Sequence, residues 1–479
     1  MKFNFPCVYL ILLLSLTTRL SSSELVNFWS GSLTENSVTI SFSTSASANV
    51  EIQYSSKENF LWGSSTSEKI KTISDLNYFS KLTLSSLKPD TDYYFRFVID
   101  GKRIKDSDMV GHFKTISDLP FSYKITLATC ANTGSNNPVY DRIREENSLF
   151  YFMLGDFHYG NIHKDCENEF LAHYNAALGS KKQSKLYQST PIAYMWDDHD
   201  YGPNNSSGLS ENEDGHVACQ AVARQTYKNY VPHYPLSFNG DDKVISQAFK
   251  IGRVKYILTD LRSEKRRPLF KGDCESENLD NCKKVREGTN FGTEEHLNWF
   301  KEELLDAKNS NLAVVWHSSF PYLSTPDLDW FNCDQDNTIK TEEGYECDNH
   351  DNWGYYPEER KIIANFIKEN NIQVCIVSGD AHMSAIDDGT NSDYAEGGGA
   401  PIPILHAGPL DRRPSIKGGP YSNGVSGVRG QYGIMEVIDD GGDEIMIKWK
   451  VKNSKGENVL NTDGDLLQHS FRYQLVNDK

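Results

Sequence analysis

Positive charge is what this sequence has least of. Its 49 Lys and Arg stand against 66 Asp and Glu, a net charge of −17. Protein affinity for a nucleic-acid backbone comes mainly from cations on phosphates, so no nucleic-acid-binding surface is expected. A small anionic substrate stays open, because bound metal ions supply local positive charge. Beyond residue 23 no apolar run is long enough to span a bilayer, and RYQLVNDK at the end is no hydrophobic tail. Neither a transmembrane segment nor a lipid anchor is therefore expected. No G-x-S-x-G occurs, which removes the nucleophile elbow of a Ser-His-Asp hydrolase.

The N-terminus reads as a secretory signal, residues 1–23: Lys2, an apolar centre at Val8–Leu16, then small residues Ser21–Ser23 at a cleavage site. A secreted or luminal location follows. Of the nine cysteines, Cys7 leaves with the signal. Cys375, inside IQVCIVSGD, reads as a buried strand thiol. Cys166, Cys219, Cys274, Cys282, Cys333 and Cys347 lie in polar loop sequence, where an oxidising compartment favours disulfides. Three bridges are expected, with Cys274–Cys282 and Cys333–Cys347 as local candidates.

Residues 24–116 carry short alternating runs between polar turns, the pattern of a β-sandwich. In LTLSSLKPDTDYYFRFVIDG, the placing of Leu87, Pro89 and Tyr93 resembles a fibronectin type III domain. From residue 121 to 475 the pattern becomes β-α alternation. KITLAT, LFYFML, IAYMW, VKYILT, LAVVW and QVCIVS are compact apolar runs, as buried strands require. Helices are predicted over Asn137–Asn147, Glu294–Lys308 and Glu358–Lys368. The C-terminal segment returns to alternation and should close the same domain with antiparallel strands. The fold class is thus α/β, a β-sandwich core flanked by helices and preceded by a small all-β domain.

Ligands of α/β sheets bind beyond the carboxyl ends of the strands. Here those ends deliver Cys130; Asp156, His158 and Tyr159; Asp197, Asp198, His199 and Asp200; Asp260 and Arg262; His317; and Asp380 and His382. A Gly-Asp after a strand is often only a turn, but this convergence of carboxylates, a phenol, a thiol and imidazoles points to metal ions. Two metals bridged by one carboxylate suit hydrolysis of phosphate esters. Arg262 suits a bidentate phosphate clamp. Asn204 and Asn205 head the N-x-S acceptors, and a pocket-lining Asn204 should carry no glycan.

GDxxY at Gly155–Tyr159, the following His-Asp pair, V-x-x-H at Val314–His317 and G-x-x-H at Gly379–His382 resemble the calcineurin-like metallophosphoesterases. ATC, GDFHY, WDDHDYGPNN, DLRSEKR, DNWGYYPEER and GDAH occur in the order seen in the PhoD-like (alkaline phosphatase D) phosphatases. That resemblance implies a secreted phosphomonoesterase or phosphodiesterase using Fe3+ and Ca2+. It makes Cys130 a thiolate iron ligand, Asp156 the bridging carboxylate, Tyr159 the phenolate on iron, and Asp198 a ligand of the second metal. Asp380 and His382 match the late ligand motif, Asp380 serving the harder ion. His199 becomes a general acid or phosphate donor, and Asn204 an amide to phosphate or metal. His317, if a ligand, favours Zn2+ or Mn2+ at the second site. DNWGYY departs from the family's D-x-W-D-G-Y. The alternatives are a purple-acid-type dinuclear phosphatase with other metals, and a non-enzymatic secreted adhesion protein on a degenerate core.

Overall fold

The computed structural model describes residues 23–475 except 62, 107–108, 209–215, 275–280, 325–337, 341–343 and 348–351. The signal reading at 1–23, apart from Ser23, and the Cys333–Cys347 pairing therefore fall outside the described residues.

The six apolar runs are all strands, shared between two sheets rather than lying in one. Tyr123–Ala128, Tyr151–Met153 and Ile192–Tyr194 run parallel in the first. Val254–Leu258, Ala313–Ser318 and Val374–Ser378 run parallel in the second. Each is buried along nearly its whole length, because its inner face meets the other sheet and its outer face meets helices. Leu127 and Phe152 share one apolar cluster with Tyr256, Val315, Val377 and Leu405 across the sheet interface. Outside the second sheet, Glu294–Asn309 and Pro357–Glu369 bury Phe300, Leu304, Ile363 and Ile367 in a cluster with Trp316 and Ile376. The predicted helices match these within a residue or two, and the first spans Pro138–Glu145 with Asn137 capping it. Gln431–Ile438, Glu444–Asn453 and Gln468–Gln474 extend the first sheet as antiparallel strands from Tyr123–Ala128.

The N-terminal strands are not a detached bead. Leu25–Gly31 pairs with Val38–Thr44 on one side and, in parallel, with Ile192–Tyr194 on the other, so the first sheet runs on through Val38–Thr44 to Phe79–Leu84. Gly31 has to be glycine at this junction, since a Cβ would lie 2.4 Å from the Pro232 carbonyl and 2.6 Å from that of Ile192. A third sheet, with Asn49–Ser55 and Asp92–Ile99 at its centre, covers this N-terminal part. Phe28, Phe42, Phe95 and Phe97 fill the space between. Disulfides join Cys166 to Cys219 and Cys274 to Cys282, while Cys130 and Cys375 are buried thiols.

Candidate metal centre

The carboxyl ends of strands from both sheets meet at one place, and glycines make that meeting close. A Cβ on Gly379 would lie 2.3 Å from the Leu154 carbonyl, and one on Gly155 would lie 2.6 Å from the Asp197 Cβ. Three donor residues pay for the convergence in backbone strain: Cys130, Asp156 and Asp380 have φ of +62°, +56° and +56°. Such left-handed geometry costs about 1–3 kcal/mol per non-glycine residue and persists where surrounding structure imposes it.

Three donor groups form there, each with its ligand atoms within 4.8 Å of one another: Cys130, Asp156 and His382; Asp156, Asp198 and His199; and Asp197, Asp198 and Asp380. Asp156 belongs to the first two. The Tyr159 hydroxyl donates to Asp156 Oδ2 at 2.5 Å and lies 2.9 Å from His382 Nε2, which places the phenol on the Cys130 side. His382 Nδ1 sits 2.6 Å from the Arg413 carbonyl; a proton there leaves Nε2 as the acceptor facing the site.

The electrostatics call for cations. Burial, then the charges of Asp198, Asp197 and Asp200, push the Asp156 carboxyl well above the usual carboxylate range. Burial, then the Asp156 charge, raise the Cys130 thiol and the Tyr159 phenol well above their ordinary values. Among the described residues, Asp156 Oδ1 and Asp197 Oδ2 are buried without a hydrogen-bond partner. Orphaned carboxylate oxygens beside a thiol, a phenol and an imidazole fit metal ions, which deprotonate such ligands on binding.

These donors sit in a region that matches a known family. Residues 125–404, more than half of the chain, match the PhoD-like phosphatases. The chain belongs to the PhoD-like phosphatase family. It is accordingly a metal-dependent phosphoesterase, a hydrolase of phosphoester bonds. Residues 24–115 match the purple acid phosphatase N-terminal domain. A solved structure of PhoD is similar over 94% of this chain and 90% of that one, at 17% identity and a TM-score of 0.63, and so shares the fold. A dimetal phosphatase from Danio rerio aligns over 74% of this chain and 99% of its own, at 10% identity and a TM-score of 0.34. No curated protein matches the sequence.

In this PhoD-like phosphatase the structure brings together Cys130, Asp156, Tyr159, Asp198, His199, Asp380 and His382. Asn204 is half-buried on the turn after the Asp198–Tyr201 helix, next to Asn205, whose N–H donates to Asp198 Oδ2 at 2.7 Å. Two expectations need correction. His317 stands inside its strand rather than beyond it, wholly buried, with Nε2 3.2 Å from the Leu154 carbonyl and its ring 5.4 Å from that of Phe152. It is in none of the donor groups. Burial lowers its pKa to about 4, so it is a neutral packing histidine. Arg262 is wholly buried, with Nε on Asp197 Oδ1 at 2.5 Å and a terminal nitrogen 3.8 Å from Asp198 Oδ1. It offsets part of the Asp197–Asp198 charge and presents no exposed edge to an incoming phosphate.

The remaining polar residues hold the loops. Asp200 accepts the His158 N–H at 2.9 Å and the Asp197 N–H at 3.2 Å, tying the Gly155–Tyr159 turn to the Asp198–Tyr201 helix. Asp260 accepts from Trp196 Nε1 and from the Ile245, Arg262 and Ser263 backbone N–H groups. His158 is buried among Phe157, Phe170 and Tyr174, and burial lowers its pKa well below the ordinary value. Sequence reasoning missed the cations. Arg412 lies over the Tyr159 ring at 3.6 Å and donates to Asn132 Oδ1 at 3.0 Å, and Lys417 Nζ reaches Asp380 at 2.8 Å. Their signal was the acid-free basic stretch RRPSIKGGPYSNGVSGVRG.

Proposed function

We propose a secreted phosphoesterase holding Fe3+ on Cys130, Asp156, Tyr159 and His382, and Ca2+ on Asp156, Asp198 and Asp380. The observation that carries this reading is the sharing of Asp156. Thiol, phenol and imidazole stand on one side of it, donors that stabilise a ferric ion. Asp198 stands on the other with His199 beside it, and Asp198 in turn groups with Asp197 and Asp380, the hard oxygens that calcium takes. With His317 engaged elsewhere, His199 is the one imidazole beside Asp198 among the donor groups of the described residues, and we read it as a proton donor rather than a ligand of the second ion. Cys130 also separates this site from the purple-acid type, which the N-terminal domain resembles but which uses Asp at that place. We read 24–116 as the sandwich and 121–475 as the catalytic unit. The disulfides suit an extracytoplasmic compartment, and no helix among the described residues is long and apolar enough to cross a membrane.

When bound, the two ions supply positive charge to the phosphoryl oxygens and activate water. Arg412 and Lys417 form the cationic rim that draws in the phosphate. Lys417 moves between Asp380 and a phosphoryl oxygen, and Asn204 offers an amide from the opposite turn. His199 is held through Nδ1 by Asn161 Oδ1 at 2.5 Å, its ring is 4.0 Å from that of Tyr159 and tilted by 38°, and its Nε2 turns inward to within 3.8 Å of Asp198 Oδ2, where a phosphoryl group would bind. Burial lowers its pKa. A phosphate dianion restores protonation, and the Nε2 proton passes to the leaving oxygen as the P–O bond breaks. Asp156→Asn, assayed by elemental analysis and by turnover of nitrophenyl phosphate mono- and diesters, is expected to lose both metals and essentially all activity. Near-normal turnover would remove Asp156 from the bridging position.

A further inference from the structure

Three basic side chains stand at the metal centre, and two of them are paired with carboxylates: Arg262 with Asp197, and Lys417 with Asp380. Arg412 is not. Among the described residues it forms no ion pair, and its Nε is buried without a hydrogen-bond partner. What it faces instead is an aromatic ring, its guanidinium carbon lying over the Tyr159 phenol at 3.6 Å from the ring centroid. That position is held from behind. Arg412 donates to Asn132 Oδ1 at 3.0 Å, and Asn132 is in turn fixed by Asp411, donating its N–H to Oδ1 at 2.7 Å and its side-chain amide to the backbone carbonyl at 2.9 Å. Tyr159 is as firmly placed. Its N–H donates to Thr133 Oγ1 at 2.9 Å, and its hydroxyl to Asp156 Oδ2 at 2.5 Å.

We propose that Arg412 acts on the metal centre through Tyr159, its charge over the ring limiting how much electron density the phenolate gives to the metal; this depends on the reading of Tyr159 as a ligand of Fe3+. A cation over an aromatic face attracts the ring's electrons, and the groups that touch a ligand tune the metal it holds. An ion on the phenol oxygen lies beyond the ring edge, farther from the guanidinium than the ring itself. The charge therefore lowers the ring orbital that donates more than the iron orbital that accepts. Transfer of an electron from Tyr159 to iron costs more with Arg412 in place than without it. Tyr159 donates less, and the ferric site keeps more positive charge for the phosphoryl oxygens. Arg412 thus has a second role beside drawing in the phosphate.

The test reads iron content and visible spectrum together, on the purified protein with its native metals in place and no substrate. Wild type is compared with Arg412→Met and Arg412→Gln, which remove the charge, and with Arg412→Lys, which keeps it. At unchanged iron content the Tyr159-to-iron band is expected at longer wavelength in both neutral variants, with Arg412→Lys nearer to wild type. Either neutral variant serves if the other fails to hold iron. A band that stays at the wild-type position in an iron-loaded neutral variant, or moves to shorter wavelength, would overturn the proposal. So would equal shifts in Arg412→Lys and Arg412→Met, which would make shape rather than charge the cause. A wild-type protein with no band that Tyr159→Phe abolishes would defeat the Fe3+ reading itself, and that failure is visible before any Arg412 variant is made.

Discussion

At Asp156 the backbone is left-handed and the carboxylate is buried, and both follow from where the residue must stand. Gly155 before it lets the turn pass against Asp197, and Asp200 holds the turn through the His158 N–H. Residues of this kind were legible in the sequence because local motifs carry them: GDFHY, WDDHD and GDAH each place a ligand two to four positions beyond a buried strand. What a motif does not encode is side-chain direction. V-x-x-H placed His317 on the right strand but could not say that its ring would turn between the sheets. Likewise Arg262 sits on the expected loop, yet its guanidinium turns inward to Asp197. His317→Leu tests that correction. The bound metals should stay at wild-type levels, while the unpaired Leu154 carbonyl lowers stability by about 1–3 kcal/mol in urea denaturation. Arg412 and Lys417 lie in a basic stretch visible in the sequence, but their partners are not: more than 200 residues separate Arg412 from Tyr159, and 37 separate Lys417 from Asp380. Arg412→Ala and Lys417→Ala should each raise KM for a phosphomonoester by about tenfold, the loss of one charge-assisted contact of roughly 1.5–3 kcal/mol partly compensated by the other. An unchanged KM in both would take the cationic rim out of substrate binding.

Among the elements, the Leu25–Gly31 strand departs most from what the sequence pattern suggested. It lies in the region read as a sandwich, and nothing local signalled that its far edge would join Ile192–Tyr194, because register between distant strands is a tertiary property. Trp29 on this strand is wholly buried against Phe157, Tyr174 and Tyr187, and its Nε1 donates to the Tyr230 carbonyl at 3.0 Å. Phe157 follows Asp156 directly, so the N-terminal part props the turn that carries the metal ligand. Trp29→Ala is expected to cost about 3–5 kcal/mol and to release metal more readily. Denaturation followed by intrinsic fluorescence and by metal release should remain one shared transition. Two transitions, with the metal site surviving the first, would show the parts to be independent.

Over the whole molecule, two sheets with parallel strand ends pointing the same way make a site that neither sheet could make alone. The first supplies Cys130, Asp156, Tyr159 and Asp198; the second supplies Asp380 and His382. The apolar strand runs made this architecture readable, whereas the division of six strands into two sheets left no mark in their composition, since all are buried on both faces. The most direct test is the metal content of the purified protein, read with its visible spectrum and that of Tyr159→Phe. About one iron and one calcium per chain, with a broad visible band that Tyr159→Phe abolishes, is the expected result. Two zinc or manganese ions with no visible band, or an iron band indifferent to Tyr159→Phe, would contradict it.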